Sequence, residues 1–527
     1  MPRSVALALA AALIPSAMAA AQTRDAGSPP AAERVGTDSL FASHMVLQRD
    51  RPIRIWGRAL PGEAVRLSLG KAQARAITRP DGTWTVTLPA RPAGGPYRLD
   101  VSAPSFRDRY REILIGDVWL CAGQSNMEFR RSKAVDLPAH FAPDAGLRML
   151  DIARREAPTP SPHLMTLAGW KTSTPDSAAR FSAICHHFGE RLRAQLGVPI
   201  GLVGASWGGT RIAAFVDAVT LKTRGLDGTA HDPVSRQNDG RVFNAMIAPL
   251  APSGLKGVLW YQGESDTHRP EGYAPRLAAL AASWRQAFAQ PLPMIVVQLP
   301  PFNPSPRTPP GHWAEIREAQ RRFVSDDGSA GLVVQIDQES ANDLHPAKKA
   351  VVAERAAERA LSVAYGHGSS RSGAEPPRIV RIGRRLLLNY EIPDRLVAPN
   401  PEAVRGFEIC TDTCAAIQAR LTGPRRIELT ISDSTVPRCL RYAWADVPQQ
   451  NLQTERSGPP GPFAISLRED TTVADPGVAP TTDHRKIEVR AAVSKCNLFH
   501  SGMCGSEVTA SDTRPSARGP IAAMLVC

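Results

Sequence analysis

The sequence predicts an α/β protein built on a doubly wound parallel sheet, with antiparallel β regions before and after it along the chain. Between about residues 113 and 365, short runs of buried-type residues alternate with stretches whose apolar residues recur every three to four positions. The first pattern is typical of buried strands and the second of amphipathic helices. Strands that alternate with helices favour a parallel sheet. In the flanking regions apolar residues recur at every second position, which favours antiparallel strands.

The central region contains each element of the predicted sheet in turn. The strand candidates are Ile113–Leu120, Ile200–Val203, Gly257–Tyr261, Met294–Leu299 and Gly331–Ile336. Helical patterns lie between them, at about residues 178–196, 273–289 and 313–323. Ligands of open α/β sheets bind outside the carboxyl ends of the strands. We therefore expect one shared site from four residues that each follow a predicted strand: Ser125, Gly208, Gln262 and His345.

The flanking regions complete the predicted organisation. Alternating stretches such as Pro52–Gly57 and Thr83–Leu88 are separated by turns rich in proline and glycine, which favours a small antiparallel β domain. The chain after residue 467 is polar and lacks clear periodicity. The predicted parts are a signal peptide (1–21), a linker (22–37), an N-terminal β domain (38–106), a central α/β domain (107–368), a C-terminal β region (374–467) and an irregular tail (468–527).

The first residues have the pattern of a secretory signal peptide. A single positive charge, Arg3, precedes an apolar run through Ile14, and small residues follow at Ala19–Ala21. An uncleaved membrane anchor is the alternative. No later segment approaches the ~18 unbroken apolar residues of a membrane-spanning helix. We therefore expect a periplasmic or secreted protein with no integral membrane segment after cleavage.

Charge and cysteine content limit the partners. The formal net charge is +13, but the basic residues are scattered, without the basic stripe and interleaved aromatic residues that nucleic-acid binding needs. We expect no nucleic-acid partner, whereas attraction to acidic glycans stays open. The sequence predicts no oligomeric state. None of the eight cysteines has the spacing of a zinc site.

In an oxidising compartment some of these cysteines are expected to pair. Cys410 and Cys414 are candidates for a disulfide, with Cys439 as a rival partner. Cys121 and Cys185 lie in apolar segments, and we interpret them as buried free thiols.

Ser125 is the candidate nucleophile. A serine hydroxyl reacts well only when a base accepts its proton and fixed donors stabilise the oxyanion. Ser125 follows a predicted strand through Gly123, whose backbone freedom allows a tight turn that exposes Oγ. The segment is not G-x-S-x-G, so it does not match the nucleophile turn of α/β-hydrolases. Alone, a serine beside a glycine in a loop is a weak indication.

The candidate base is His345. Residues two apart in extended chain project to the same side, so the Asp343 carboxylate could orient the imidazole while its other nitrogen faces the serine. The alternative is a loop in which Asp343 caps the following helix.

Two glycine-containing segments could supply oxyanion donors. Gly204–Thr210 offers backbone N–H groups beside paired glycines, and Trp260–Asp266 places the amide of Gln262 at a strand end. Each segment can also be an ordinary strand-to-helix turn.

The order serine, glycine, amide and Asp/His resembles that of the SGNH hydrolases. More narrowly, the chain resembles the sialate O-acetylesterase family of carbohydrate esterases from about residue 38 to 467. The similar segments are Leu40–Phe41, His44–Arg49, Trp56–Gly57, Val118–Met127, Pro199–Leu202, Gly208–Thr210, Phe243–Leu250, Trp260–Ser265, Arg317–Gln320, Arg441–Trp444 and Gly461–Phe463.

The resemblance implies a flavodoxin-like SGNH-hydrolase catalytic domain that removes O-acetyl groups from sialic acid or a related glycan, without metal or organic cofactor. It implies an acetyl-enzyme, with Ser125 as nucleophile, His345 as general base and acid, and Asp343 as the orienting carboxylate. It also implies an oxyanion hole formed by the N–H groups of Ser125 and Gly208 and the side chain of Gln262.

Two departures leave alternatives open. The superfamily places its Asp three residues before the His, where this chain has Asn342, so Glu264 is the alternative acid. The last sixty residues have no counterpart in the resemblance. Acetylxylan or another acetylated polysaccharide is the alternative substrate. A catalytically silent carbohydrate-binding protein is the alternative from a different class, and a thioesterase or lipase-like activity is a third possibility.

Overall fold

The computed structural model describes residues 35–228, 238–303, 312–338, 341–368, 374–432, 436–467 and 486–489. The predicted signal peptide, most of the linker and most of the tail lie outside these residues. The chain forms two compact units. The first contains the described residues up to Gln262, with Ala278–Ile295 and Ala347–Ala364; the second contains Gly263–Leu277, Val296–Pro346 and the described residues from Tyr365 onward.

The first unit begins with short antiparallel strands. In this part the burial alternates: Ile53 and Ile55 are buried while Arg54 between them is exposed, as expected for a sheet with one solvated face. Three of the strands, β1, β3 and β6, form one sheet, and β4 pairs with β5 and β7. The strands are β1 (Gly36–Thr37), β2 (Val46–Gln48), β3 (Ile53–Arg58), β4 (Ala64–Leu69), β5 (Ala72–Ile77), β6 (Thr83–Leu88) and β7 (Gly94–Ala103).

A single long strand, β8 (Phe106–Gly123), leads from this antiparallel part into the parallel sheet. Its first seven residues alternate or are exposed, and every residue from Ile113 onward is buried. Glu112, at the change, has a φ of 57°. The predicted boundary between residues 106 and 107 therefore falls at the start of a strand that pairs both with β7 and with the central sheet.

The central sheet of the first unit is parallel around β8. It is formed with β9 (Asp144–Asp151), β10 (Lys171–Ser173), β11 (Ile200–Ser206) and β12 (Gly257–Tyr261). β8 lies between β11 and β12 and is parallel to both, and β9 is parallel to β11 on its other side. The predicted parallel core is confirmed. β10, antiparallel to β9 at the edge, was not predicted.

Helices cover both faces of this sheet. Within the described ranges the α-helices are α1 (Ser125–Glu128), α2 (Pro175–Ala179), α3 (Ala183–Leu196), α4 (Ala218–Thr223), α5 (Tyr273–Phe288), α6 (Trp313–Asp326) and α7 (Ala350–Tyr365). On one face Trp119 contacts Phe188 of α3, and on the other face Trp260 contacts Trp284 of α5. Trp260 is the register partner of Ala122, which points to the face opposite Trp119 because the two are three residues apart on β8. The doubly wound arrangement is confirmed.

The helix predicted at about residues 178–196 is two helices, α2 and α3. The second begins after Ser182, whose hydroxyl accepts the N–H of Cys185 at 3.1 Å. This is the capping contact that serine provides to the first free N–H groups of a helix.

An ion pair between the half-buried Arg49, which follows β2, and the buried Asp117 of β8 connects these two strands. Nε of Arg49 donates a hydrogen bond to Oδ1 of Asp117, and Nη2 donates to Oδ2, both at 2.9 Å. Gln48 donates to the same carboxylate at 3.1 Å and accepts the N–H of Val118 at 2.8 Å. A buried carboxylate is tolerated when it is paired and hydrogen-bonded in this way. Two residues of the His44–Arg49 segment, Gln48 and Arg49, thus hold β2 against β8.

The second unit contains the end of β13 (Met294–Val297), β14 (Ala330–Val333) and α6, followed by antiparallel strands. These form a five-stranded sheet (β20-β21-β16-β15-β25), a four-stranded sheet (β19-β18-β22-β24) and the pair β17-β23. Strand β25 lies in the tail, for which we expected irregular structure. The strands are β15 (Arg378–Ile382), β16 (Arg385–Asn389), β17 (Leu396–Val397), β18 (Phe407–Cys410), β19 (Cys414–Ala416), β20 (Ala419–Gly423), β21 (Arg426–Thr430), β22 (Cys439–Tyr442), β23 (Gln453–Thr454), β24 (Phe463–Ser466) and β25 (Lys486–Val489).

One buried arginine of α6 organises the loops of the second unit. Arg317 is fully buried and donates to four backbone carbonyls at 2.8–3.0 Å, those of Leu299, Pro300, Ala445 and Asp446. Because a guanidinium carries several donors in a fixed plane, a single side chain can hold both loops at once. The loop after β13 is thereby tied to the loop after β22. None of the helices in the described ranges combines the length and apolarity needed to cross a membrane.

The cysteine pairing differs in part from the expectation. Cys121 and Cys185, interpreted as free thiols, form a disulfide, so that interpretation was wrong. Cys121 faces α3, whose first turn places Cys185 at a Cα–Cα distance of 6.0 Å, within the range of disulfides. The sequence did not indicate this, because 64 residues separate the two. Cys410 pairs with Cys414 as expected, and the rival Cys439 keeps a buried thiol opposite Cys410 on β22.

We predict that Cys185→Ala lowers the free energy of unfolding by about 2–4 kcal/mol, because the disulfide restricts a long loop of the unfolded chain. Urea unfolding under oxidising conditions measures the change. Cys414→Ala is the matched control, since it opens a bridge with a sequence separation of only 4 and should cost less. Equal losses for the two variants would contradict the prediction.

Candidate functional site

The turn that carries Ser125 is fixed by a close approach of two strands. Gly123, the last residue of β8, has a φ of 138°, and a Cβ at this position would lie 2.0 Å from the Tyr261 carbonyl oxygen. Only glycine fits. The same carbonyl accepts the N–H of Gln124 at 3.0 Å, and the Gly123 carbonyl accepts the N–H of Trp207 at 2.9 Å. Ser125 therefore begins α1 directly after a backbone that is held by β11 and β12 on either side.

Gly208 lies beside Ser125. A Cβ at Gly208 would be 3.3 Å from Cβ of Ser125 and 3.3 Å from Oε2 of Glu128. The N–H of Gly208 donates to that Oε2 at 2.8 Å, and Nη2 of Arg154 lies 2.6 Å from the other carboxylate oxygen. The N–H of Gly208, which we predicted as a donor of the oxyanion hole, thus donates to the Glu128 side chain of the protein itself.

Gln262 connects the nucleophile turn with the glycine segment. Its side chain is fully buried, and its Nε2 donates to Oε1 of Gln124 at 3.0 Å and to the Thr210 carbonyl at 3.2 Å. The structure therefore brings Ser125, Gly208 and Gln262 together in the first unit. Two of the predicted oxyanion donors, the Gly208 N–H and the Gln262 amide, already donate to acceptors of the protein. Each must therefore exchange that acceptor for a substrate oxygen in order to bind it.

The predicted base and both candidate acids lie in the second unit. Asp343 is exposed, and its Oδ1 accepts the backbone N–H of His345 at 2.8 Å. Glu264 is buried, with 6% of its surface exposed, in the short 3-10 turn that follows Gly263. The pairing of Ser125 with His345 joins residues of different units and stays a prediction, as does the identity of the acid.

Three charged residues near the nucleophile turn or at the strand ends were not predicted. Glu128 accepts the N–H of Gly208, and Arg154 pairs with the other oxygen of Glu128. The spacing of three residues between Ser125 and Glu128 on a helix was the only sequence signal for Glu128, and Arg154 had none. Asp151 ends β9, and burial raises the pKa of its carboxyl to about 6, opposed by the charges of Arg154, Lys171 and Arg130. No sequence pattern indicated that this half-buried carboxyl has a raised pKa.

A serine–histidine–carboxylate group other than the predicted one lies in the core of the first unit. Oγ of Ser173 is 2.9 Å from Nε2 of His186, whose Nδ1 is 3.6 Å from Oε1 of Glu190. His186 is fully buried, and this burial lowers its pKa. Because no substrate can reach a group with this burial, we interpret it as structural. The described residues also contain no group of three His, Cys, Asp or Glu side chains that could hold a metal ion.

We predict that Gly208→Ala lowers kcat for p-nitrophenyl acetate by about 10-fold, less than the ~10²-fold effect of displacing a reacting group by about 1 Å, because Ser125 and Glu128 need to move only slightly to make room. The added methyl group would press on Ser125 and Glu128, both at 3.3 Å. Steady-state kinetics measure the change. Gly328→Ala is the control, because its Cβ would meet nothing within 4 Å. Wild-type kcat in the Gly208 variant would contradict the assigned contact.

Comparison with known proteins identifies the family. The family of carbohydrate esterases described as sialic acid-specific acetylesterases matches residues 115–361. Sialate O-acetylesterase of Homo sapiens is 28% identical over 468 residues, which span 78% of this chain and 89% of that protein. The same enzyme of Pongo abelii is 28% identical over 496 residues, spanning 83% and 94%.

A solved structure is more similar still in sequence. A carbohydrate acetylesterase from Xanthomonas citri is 32% identical with a TM-score of 0.73, and the alignment covers 82% of this chain and 99% of that one. The family match includes every candidate residue from Ser125 to His345. The resemblance inferred from the sequence is confirmed: the chain belongs to the sialic acid-specific acetylesterase family of carbohydrate esterases.

Proposed function

We propose that this protein is a serine esterase that removes O-acetyl groups from sialic acid or a related acetylated glycan through an acetyl-enzyme. The observation that carries the proposal is the position of Ser125, on a turn fixed at Gly123 and beside Gly208. Family membership and the similarity to sialate O-acetylesterases support the choice of an acetylated sugar as substrate.

In the proposed reaction, Oγ of Ser125 attacks the acetyl carbonyl while His345 accepts its proton. The tetrahedral intermediate collapses, and the sugar hydroxyl leaves with the proton from His345. Water then attacks the acetyl-enzyme with His345 as base, which releases acetate and restores Ser125. The oxyanion of each tetrahedral intermediate would be bound by the N–H groups of Ser125 and Gly208 and by the Gln262 amide.

Two carboxylates are candidates for the acid that orients His345. Asp343 is exposed and already accepts the backbone N–H of His345, which supports a role in shaping the loop. Glu264 is buried, and the orienting carboxylate of a catalytic triad is typically buried as well. These observations favour Glu264 without removing Asp343 as a candidate.

We also propose that the protein acts in the periplasm or outside the cell. Residues 1–21 have the composition of a signal peptide. The disulfides Cys121–Cys185 and Cys410–Cys414 support an oxidising compartment, since disulfides persist there and are rare in the cytosol.

An O-acetylated polysaccharide such as acetylxylan is the second candidate substrate.

We predict that Ser125→Ala folds normally and loses hydrolysis of p-nitrophenyl acetate by about 10⁶-fold, the size of effect known for removal of a serine nucleophile. Acetate release from O-acetylated sialic acid and from acetylxylan is measured in parallel, and the wild type should prefer the sialic acid. Hydrolysis retained by the variant would exclude Ser125 as nucleophile. A preference for acetylxylan would change the assigned sugar and leave the mechanism intact.

We predict that Glu264→Gln lowers kcat more than Asp343→Asn does, by up to about 10⁴-fold, the effect of replacing the acid of a serine triad by its amide. Each variant keeps the shape of the side chain and removes its charge, so the two are matched controls for each other. Comparison of kcat at equal fractions of folded protein decides between them. A larger fall for Asp343→Asn would assign the acid to Asp343.

A further inference from the structure

A buried lysine lies beneath the helix that begins with Ser125. Lys349 is 1% exposed, and its Nζ donates to Oδ1 of Asn126 at 2.7 Å. Nζ also lies 4.7 Å from the centre of the Phe129 ring and 5.8 Å from that of Tyr261. An ammonium group removed from water is costly unless hydrogen bonds or aromatic faces compensate for the lost hydration. The surroundings of Lys349 provide both.

The backbone of Lys349 is fixed as well. Its N–H donates to Oδ1 of Asp136 at 2.8 Å, and the N–H of Ala350 donates to Oδ2 at 2.9 Å. Ala350 begins α7, so Asp136 supplies a carboxylate at the N-terminus of that helix, where a negative charge is favourable. The N–H of Val135 donates to the Ala347 carbonyl at 3.1 Å. Lys349 is therefore anchored at its backbone and at the end of its side chain.

The nucleophile helix needs such an anchor. α1 has only four residues, and a helix of this length is not stable by itself. Before Ser125, the backbone is held through Gln124 by the Tyr261 carbonyl. After Ser125, the next side chain is that of Asn126, which is fully buried and accepts the Lys349 hydrogen bond. Ser125 thus lies between two residues whose positions are fixed by other parts of the first unit.

We propose that Lys349 is a positioning residue that holds Asn126 and thereby orients the Ser125 hydroxyl for attack. This inference rests on the proposed role of Ser125 as nucleophile. In this role Lys349 acts through the side chain of Asn126, which accepts its hydrogen bond. A lysine that only stabilised the core would affect the melting temperature and leave the reactivity of Ser125 in the folded protein unchanged.

The test compares Lys349→Met, which keeps the length of the side chain and removes the charge and the donor, with Asn126→Ala and the double variant. The reactivity of Ser125 is measured as the rate of its labelling by a fluorophosphonate, alongside kcat, KM and melting temperature. We expect the labelling rate and kcat of Lys349→Met to fall together by about 10²-fold with little change in KM, as for a misplaced reacting group.

The double variant shows whether Lys349 acts through Asn126. If it does, the loss in the double variant equals that of either single variant, because contacting residues in one network are not additive. Lys256→Met is the control: this half-buried lysine precedes β12 at the opposite end from Tyr261, and its loss should leave the labelling rate unchanged. Additive losses, or a wild-type labelling rate in folded Lys349→Met, would overturn the inference.

A second pair of variants decides the question if Lys349→Met does not fold. Asn126→Asp keeps an oxygen acceptor for Nζ and should retain the labelling rate within a few-fold, whereas Asn126→Leu removes the acceptor and should lose it. Equal rates in the two would overturn the inference. Hydrolysis retained by Ser125→Ala would overturn the proposed function and this inference together, while wild-type reactivity of the Lys349 and Asn126 variants beside an inactive Ser125→Ala would overturn this inference alone.

Discussion

The contact between Gly123 and the Tyr261 carbonyl is the constraint on which the nucleophile turn depends. The carbonyl occupies the space of a Cβ at residue 123, so β8 and β12 can keep their register to the last residue only if that residue is glycine. A side chain there would separate the two strands. It would also displace Gln262, which directly follows β12 and bonds to the side chain of Gln124. The direction in which Ser125 leaves the sheet is thus set by backbone packing.

The other end of α1 is held by α3. The Ser182 hydroxyl donates to the Met127 carbonyl at 2.5 Å, and the N–H of Ala183 donates to the Phe129 carbonyl at 2.8 Å. Four residues before Ser125, the disulfide from Cys121 ties β8 to the same helix. A reactive group that must keep its geometry within a fraction of an ångström is best carried by rigid elements with supporting contacts. In this protein a four-residue helix meets that requirement because each of its ends is attached to a longer element.

The sequence predicted what local patterns can encode. The continuous apolar run after Ile113 and the three-to-four spacing in α3 gave the parallel sheet and its helices, since burial on both faces demands those patterns. The contacts that the sequence missed join residues far apart along the chain: Cys121 with Cys185, Glu128 with Gly208, and Asn126 with Lys349. The periodic spacing of apolar residues carries no information about contacts between such distant residues. The assignment of Ser125 depended instead on the family resemblance, because its local sequence alone is a weak signal.

The contact of Glu128 with Gly208 has a consequence for the proposed mechanism. The carbonyl oxygen of a ground-state ester carries little charge and competes poorly with a carboxylate for an N–H, whereas an oxyanion competes well because charged acceptors form the stronger hydrogen bonds. In the proposed mechanism, exchange of the Gly208 N–H from Glu128 to the substrate would therefore be favoured as the tetrahedral intermediate forms. Arg154, 2.6 Å from the other oxygen of Glu128, keeps that carboxylate paired when it loses the N–H. An interaction that strengthens only as charge develops lowers the barrier without tightening substrate binding, which is the condition for an increase in kcat.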